Sequence, residues 1–389
     1  MNTLVELRHT LWVKAQLAVP SVLLPLLRQV KGIILILAKP YLTIYQWQGQ
    51  GQGGPLTVSY AGYEYAKPHL KSILFTEEPA EREIGRVPIW RLDRLADSAD
   101  TDLIYIVADK MLIRKPPRQN ALVQPFRTSL TVDIRGEWQE VVQRFHRNTR
   151  RYEMRLIRKY GYTYEISHSI ADFETFFHTM YLPTMRKRHG ALATSMSLEE
   201  ARQYFRRGLL VLAKRDGQYV AGSVGYLERK VLYAIVIGAL NGDEQLIKEG
   251  AMTACYYSWI HWAHQQGYET VDFWGSKPYL ADLFLYKRKW GATVGVPAGM
   301  PTRIWLTIQR DTPAVRQFLK DNPCITLDNK GELWGLIVAD DPDNVSPDVK
   351  ATWYTQYETP GLKGLLIRSV TELIRKPEWT NGNDSPISA

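Results

Sequence analysis

The sequence predicts a mixed α/β fold built on a mixed sheet, and three features in the second half of the 389-residue chain predict it. Three apolar runs separated by turns, Leu209–Lys214, Tyr219–Leu227 and Val231–Ile237, read as an antiparallel meander. A helical stretch, Ala251–Gln265, follows between Gly250 and Gly267, where start and stop residues belong. A short apolar strand, Thr270–Phe273, comes next, and the helix before it supplies the crossover that lets it lie parallel to the last meander strand. Where such strands part, a ligand crevice is expected.

The elements follow in order. Residues 32–38 and Tyr41–Trp47 read as short strands around Pro40, and the Gly-rich run 48–55 as a flexible loop. Leu56–Tyr60 and Leu103–Ala108 are further apolar runs, and Lys115-Pro116-Pro117 is a sharp loop. Glu137–Tyr160 reads as one helix, with Val142, Phe145, Thr149, Tyr152 and Leu156 as its apolar stripe. Arg144, Arg147, Arg151, Arg155 and Arg158 form a second stripe, and Gly161 sits at the C-terminal cap. Such a charge run is ordinarily a solvated face, yet arginines in line with little acid among them suit bidentate grip on phosphate or carboxylate. Then come a strand over 162–167 and helices over Asp172–Arg188 and Glu199–Arg207. Asp216-Gly217 turns the first hairpin of the meander. Pro278 is expected to open a helix over Tyr279–Trp290, stopped by Gly291. Beyond residue 310, Ile325–Asp328 and Leu333–Ala339 suggest a hairpin and Leu362–Leu373 a helix. These readings divide the chain into an N-terminal amphipathic helix (1–30), an α/β lobe (31–135), a second lobe (136–310), a C-terminal extension (311–376) and a disordered tail (377–389).

Composition narrows the function classes. The net charge of +9 suits an anionic partner without choosing among a phosphate-bearing cofactor, RNA or a membrane surface. Two cysteines, Cys255 and Cys324, exclude a zinc ribbon or a disulfide framework and point to a reducing, cytoplasmic compartment. No uninterrupted apolar run reaches the ~18 residues of a membrane span. Leu4, Leu7, Leu11, Ala15, Ala18 and Val22 recur at helical spacing among basic residues, as in a helix packed on its own domain or lying on the inner face of a membrane. His261 and His264 share a helix without a third ligand, so no metal is expected.

Three segments carry a resemblance. Phe145-His146-Arg147-Asn148-Thr149-Arg150-Arg151 is similar to a basic helix start. Gly250-Ala251-Met252 through Gly267, then Val271-Asp272-Phe273-Trp274-Gly275, is similar to a crossover helix and its strand end. Tyr286-Lys287-Arg288-Lys289-Trp290-Gly291 is similar to a following aromatic-lysine element. In this order, over roughly residues 140–295, the chain resembles the GNAT (Gcn5-related N-acetyltransferase) superfamily, and within it the Fem-like branch that includes peptidyltransferases of cell-wall precursors. The resemblance implies two GNAT-like lobes with the first degenerate, an acyl-CoA donor such as acetyl-CoA, and Lys287 near the substrate or its developing charge. It also departs from the pattern. The cofactor loop, Gln245 to Met252, holds one glycine where the family has two.

Acyl transfer to an amine needs an oxyanion site, a base and an acid. Gly250, Ala251 and Met252, with Glu249 before them, would hold the donor's pyrophosphate on the dipole of the crossover helix. Backbone N–H groups around Gly238 and Ala239 would polarise the thioester carbonyl. Tyr286 is the candidate acid and Asp272 the candidate base or amine-orienting group, with Glu249 and His189 as weaker bases. Arg147, Arg151 and Arg155, with Trp274, are candidate substrate contacts. The acceptor expected is an amino-sugar, a peptide or a cell-envelope precursor. Two alternatives stand beside this reading: a transferase fed by aminoacyl-tRNA, and a binding protein that kept the fold and lost the chemistry.

Overall fold

A computed structural model describes residues 41–375, apart from 96–99, 111–112, 114–119, 190–194 and 298–299. The N-terminal helix, the strand over 32–38, the Lys115-Pro116-Pro117 loop and the tail fall outside the described residues. In chain order the elements are β1 (Tyr41–Gly51), β2 (Gly54–Gly62), α1 (Lys67–Leu74), β3 (Ala80–Pro88), β4 (Leu103–Asp109), β5 (Leu122–Pro125), β6 (Ser129–Asp133) and α2 (Trp138–Gln143). A π-helical turn (Thr149–Glu153) leads into α3 (Met154–Lys159), β7 (Thr163–Ser167) and α4 (Ile170–Phe176). A second π turn (Phe177–Tyr181) leads into α5 (Leu182–His189), α6 (Leu198–Phe205), β8 (Gly208–Arg215), β9 (Gln218–Glu228) and β10 (Val231–Ala239). Then come α7 (Glu244–Lys248), α8 (Ala251–Gln265), β11 (Thr270–Asp272), α9 (Asp282–Arg288), β12 (Thr293–Gly295) and β13 (Thr302–Ile308). The chain closes with α10 (Pro313–Asp321), β14 (Cys324–Leu327), β15 (Leu333–Val338), α11 (Pro347–Tyr357), β16 (Leu365–Arg368) and α12 (Val370–Arg375).

These elements form two compact units. Ser129–Gly275 and Tyr286–Thr293 belong to the first, whereas 41–128, Ser276–Leu285 and 294–375 belong to the second. The first is built on a sheet of strand order β12-β6-β11-β10-β9-β8-β7. Its meander is the one the sequence predicts. β8, β9 and β10 pair antiparallel, and β11 pairs parallel to β10. Asp216 and Gly217 both adopt positive φ, the twist that suits a two-residue hairpin turn. The crossover helix α8 buries residues all round its girth, from Ala251 to Ala263, which is why its sequence shows little amphipathic pattern. A second core, with Phe173 stacked on Phe205 at 4.7 Å, fills the other face beneath α4 and α6.

The second unit centres on a sheet of order β16-β15-β14-β5-β13-β4-β2-β1-β3. Residues 311–375, read from sequence as an extension, thus complete the sheet that begins at β1. The sequence signal there is weak because β14 and β16 are short, four residues each, and gain their register only from distant partners. Local structure also differs from expectation at Tyr279, which forms an isolated bridge with Cys324, while Leu280 N–H donates to the Pro323 carbonyl. These contacts hold the first residues of the expected Tyr279–Trp290 helix extended, and the helix starts at Asp282.

Candidate active site

The first unit opens where β10 and β11 part. Their last pair is Tyr233 with Asp272, and β10 runs on to Ala239 with no β11 partner beside it. The register against β9 shifts between Ala234 and Val236, leaving Ile235 as an extra residue. Such a bulge bends a strand and re-aims its backbone groups. The gap therefore leaves main chain of β10 from Ala234 onward without a β11 partner.

Asp272 sits at the mouth of this gap. Its Oδ1 accepts the Trp274 N–H at 2.8 Å, and Trp274 adopts φ 61°, a left-handed conformation that is rare for a bulky residue. Lys287, only 5% exposed, donates from Nζ to the Trp274 carbonyl at 3.3 Å. The Trp274 peptide is thus clamped from both sides, and the strain is held where a carboxylate and an ammonium converge. Burial pushes the Asp272 carboxyl up to about 6, against the opposing pull of the Trp274 N–H and of Lys287. Trp274 itself is 36% exposed, edge-on to Tyr204 and Tyr233.

Tyr286 occupies a different position. Its hydroxyl lies 2.9 Å from Thr253 Oγ1, and that hydroxyl donates its single proton to Glu153 Oε2 at 2.7 Å. Tyr286 must therefore donate to Thr253, so its proton points along the chain Tyr286–Thr253–Glu153. Burial, then the Glu153 charge, raise the phenol well above its ordinary value. Lys289 completes the network by pairing with Glu153 and lying 3.9 Å over the Tyr286 ring. Tyr286 reads as a structural tie. Tyr286→Phe is expected to cost about 1 kcal/mol of stability, seen as a lowered Tm, while kcat stays within a few-fold of wild type.

The crossover helix start is also closed. Gly250 caps α8 at φ 99°, and a Cβ there would lie 3.0 Å from Leu156 Cβ. Ala251 and Met252 are buried. Glu249 accepts from Gln245 at 2.7 Å and pairs with Arg215, which together hold its carboxyl below the usual range. Glu153, 8% exposed, stands beside Thr253 in the first turn, where a pyrophosphate was expected. At the far end of β10, Ala239 N–H donates to Thr184 Oγ1 at 2.9 Å, and a Cβ on Gly238 would meet the Met180 carbonyl at 2.5 Å. That end is covered, and the open backbone lies nearer the Ile235 bulge.

The arginine stripe is not one straight helix. α2 stops at Gln143, and the chain re-enters helix only to form the π turn at Thr149–Glu153. A π turn adds a residue and shifts the phase of everything after it. Arg147, Arg150 and Arg151 line one depression of about 350 Å³, and Arg155 lies a turn further, exposed over the Tyr152 ring. The turn is fixed by Thr149 Oγ1, which donates to the Lys289 carbonyl at 2.8 Å, and by His146 N–H, which donates to the same carbonyl at 2.9 Å. His146 is pushed down first by burial and then by Arg288, Arg150 and Lys289, the mark of a positive potential. Arg150, Glu153 and Thr253 are the members that sequence spacing missed. Only Glu153, an acid within the arginine run, left a visible trace.

The remaining candidates have other partners. His261 Nδ1 is 2.8 Å from the Tyr164 hydroxyl, and His264 Nε2 is 2.9 Å from the Gly136 carbonyl. No group of metal ligands occurs among the described residues. Cys255 and Cys324 are buried free thiols, and His189 ends α5.

Residues 143–288, which hold the meander, the gap and the arginine turn, match the family model of the acetyltransferase (GNAT) domain. They form a GNAT domain. The chain accordingly carries a GNAT-type acetyltransferase domain over these residues. No curated protein matches it. Among solved structures it is similar to FemX, at 14% identity over 68% of this chain and 84% of that one, with a TM-score of 0.36. L-PGS from Bacillus licheniformis is similar at 11% identity over 70% and 87%, with a TM-score of 0.32. A GCN5-related N-acetyltransferase from Kribbella flavida is similar at 13% identity over 72% and 91%, with a TM-score of 0.26. These likenesses concern chain path and carry no statement about substrate. No helix among the described residues is long and apolar enough to cross a membrane.

Proposed function

We propose that the GNAT domain transfers an acyl group from a phosphate-bearing donor, an acyl-CoA, to a primary amine of an amino-sugar, a peptide or a cell-envelope precursor. The observation that carries this reading is the pairing of Asp272 and Lys287 on the Trp274 peptide at the mouth of the β10–β11 gap. The amine nitrogen attacks the thioester carbonyl, the C–S bond breaks, and the thiolate leaves. Asp272 takes the proton released by the amine. Main-chain N–H groups of β10 beside the bulge, with the Lys287 charge behind them, stabilise the oxyanion. Arg147, Arg150 and Arg151 hold the donor's phosphates. Trp274 borders the acceptor.

Calorimetric titration with acetyl-CoA and longer acyl-CoAs tests the donor. Arg147→Gln with Arg151→Gln is expected to raise the donor KM about tenfold or more with kcat little changed, and the wild-type affinity should fall with salt. Turnover by the double variant at unchanged KM would sink the arginine assignment.

One observation favours a second donor. Glu153, although paired with Lys289, sets a carboxylate beside Thr253 at the start of α8, where a pyrophosphate is disfavoured. An aminoacyl-tRNA, gripped through its backbone by the outward arginines, escapes that conflict. Saturable, steeply salt-dependent binding of charged tRNA together with absent CoA binding would select it.

A further inference from the structure

The second unit gathers basic side chains without acids to neutralise them. The Lys277 ammonium lies 4.9 Å from the centroid of the Phe126 ring, and the Arg127 guanidinium lies 5.7 Å from the same centroid. Tyr65 meets that ring edge-on at 5.3 Å. Nearby, His69 packs edge-on against Tyr279 at 5.8 Å, and its Nε2 is buried with no hydrogen-bond partner. No ion pair of Lys277, Arg127 or His69 with a carboxylate occurs among the described residues. Elsewhere in this unit cations do find carboxylates, as buried Lys67 does with Glu81 and Lys71 with Glu78.

Cations partly withdrawn from water without a counter-charge are costly, and rings alone compensate them only in part. The titration of the groups agrees. Burial, then Arg127, push Lys277 down to about 7. Burial, then Lys277 and Arg127, push His69 down to about 3. Lys277 and His69 are thus held away from their charged forms by burial first and by neighbouring cations second, and Arg127 is lowered by burial, as befits a site awaiting an anion. A fork of guanidinium donors, a point ammonium and an unused imidazole nitrogen suit the oxygens of one small oxyanion.

We propose that Arg127, Lys277 and His69, walled by Phe126 and Tyr65, form an oxyanion-binding cradle in the second unit, taking a phosphoryl or carboxylate group. It lies outside the acyl-transfer residues and stands without them.

The test uses the full chain carrying Arg147→Gln and Arg151→Gln, so that the arginine turn does not compete. Inorganic phosphate, pyrophosphate and acetate are titrated by calorimetry. Saturable binding of at least one is expected, weakened tenfold or more by Lys277→Met and, separately, by Arg127→Gln. Binding of acetate alone would mark a carboxylate group, and of the phosphates alone a phosphoryl group. Thermal unfolding without ligand should show Lys277→Met at a Tm equal to or above its parent, because it removes an uncompensated charge. Absence of binding by all three probes, or affinity unchanged in both variants, would overturn the cradle.

Discussion

Asp272→Asn is expected to lower kcat/KM by about 10²–10⁴-fold, the usual contribution of a positioned general base. The rate of the wild-type enzyme should rise with pH through an apparent value near 6, where the buried carboxyl ionises, and this limb should vanish in the variant. Stability should move the opposite way. The folded carboxyl titrates near 6, and an unperturbed one near 3.8. Below pH 4 the group is protonated in both states and costs nothing. As pH rises through 6 the unfolded chain has already ionised, and the folded state must follow against its burial. About 3 kcal/mol is therefore lost by pH 8. Asn carries no such charge and still accepts the Trp274 N–H. The Tm gap between variant and wild type should accordingly open between pH 4 and pH 8. A pH–rate profile that keeps its limb in the variant would remove Asp272 from the proton path.

Glu153→Ala is expected to cost about 3–5 kcal/mol, the range for removing one partner of a buried ion pair. The loss is large because Glu153 ties three segments: Thr253 in the first turn of α8, Lys289 after α9, and its own π turn. Removing it leaves the Lys289 ammonium and the Thr253 hydroxyl without their acceptor. Glu153→Gln keeps one of the two acceptor oxygens and fills the same space while losing the charge, and should cost less. Denaturant unfolding separates the two. Equal, small losses in both would mean that the network is ornamental to the fold.

The same network explains where the sequence was legible and where it was not. The meander, the crossover helix and β11 announce themselves through local period and turn residues: alternating runs, Asp216-Gly217, and Gly250 and Gly267 at the helix ends. Asp272 and Lys287 fall in short motifs at element ends, so their neighbourhood was visible before their contacts were. Arg147 and Arg151 were visible as a stripe, and Arg150, three residues after Arg147, joins them on the wall of the same depression. The sequence points to backbone near Gly238 and Ala239 as the oxyanion donor because the strand ends there, and the bulge at Ile235 leaves no mark in the residues that form it.

The sequence by itself thus determined the local elements, their order and the chemistry available at β11 and α9, because propensity, periodicity and turn residues act over a few positions. Only the tertiary structure decided which groups remain free to react. Tyr286 is bound into a chain ending at Glu153, the start of α8 is closed by Glu153 and Leu156, and the end of β10 is covered at Thr184 and Met180. Those outcomes depend on contacts between residues 33 to 140 positions apart, as with Tyr286 and Thr253 or Thr149 and Lys289, and no local pattern encodes such pairings. They also decided that residues 311–375 finish the sheet begun at β1, since a strand of four residues acquires its place only when a partner supplies the hydrogen bonds it lacks.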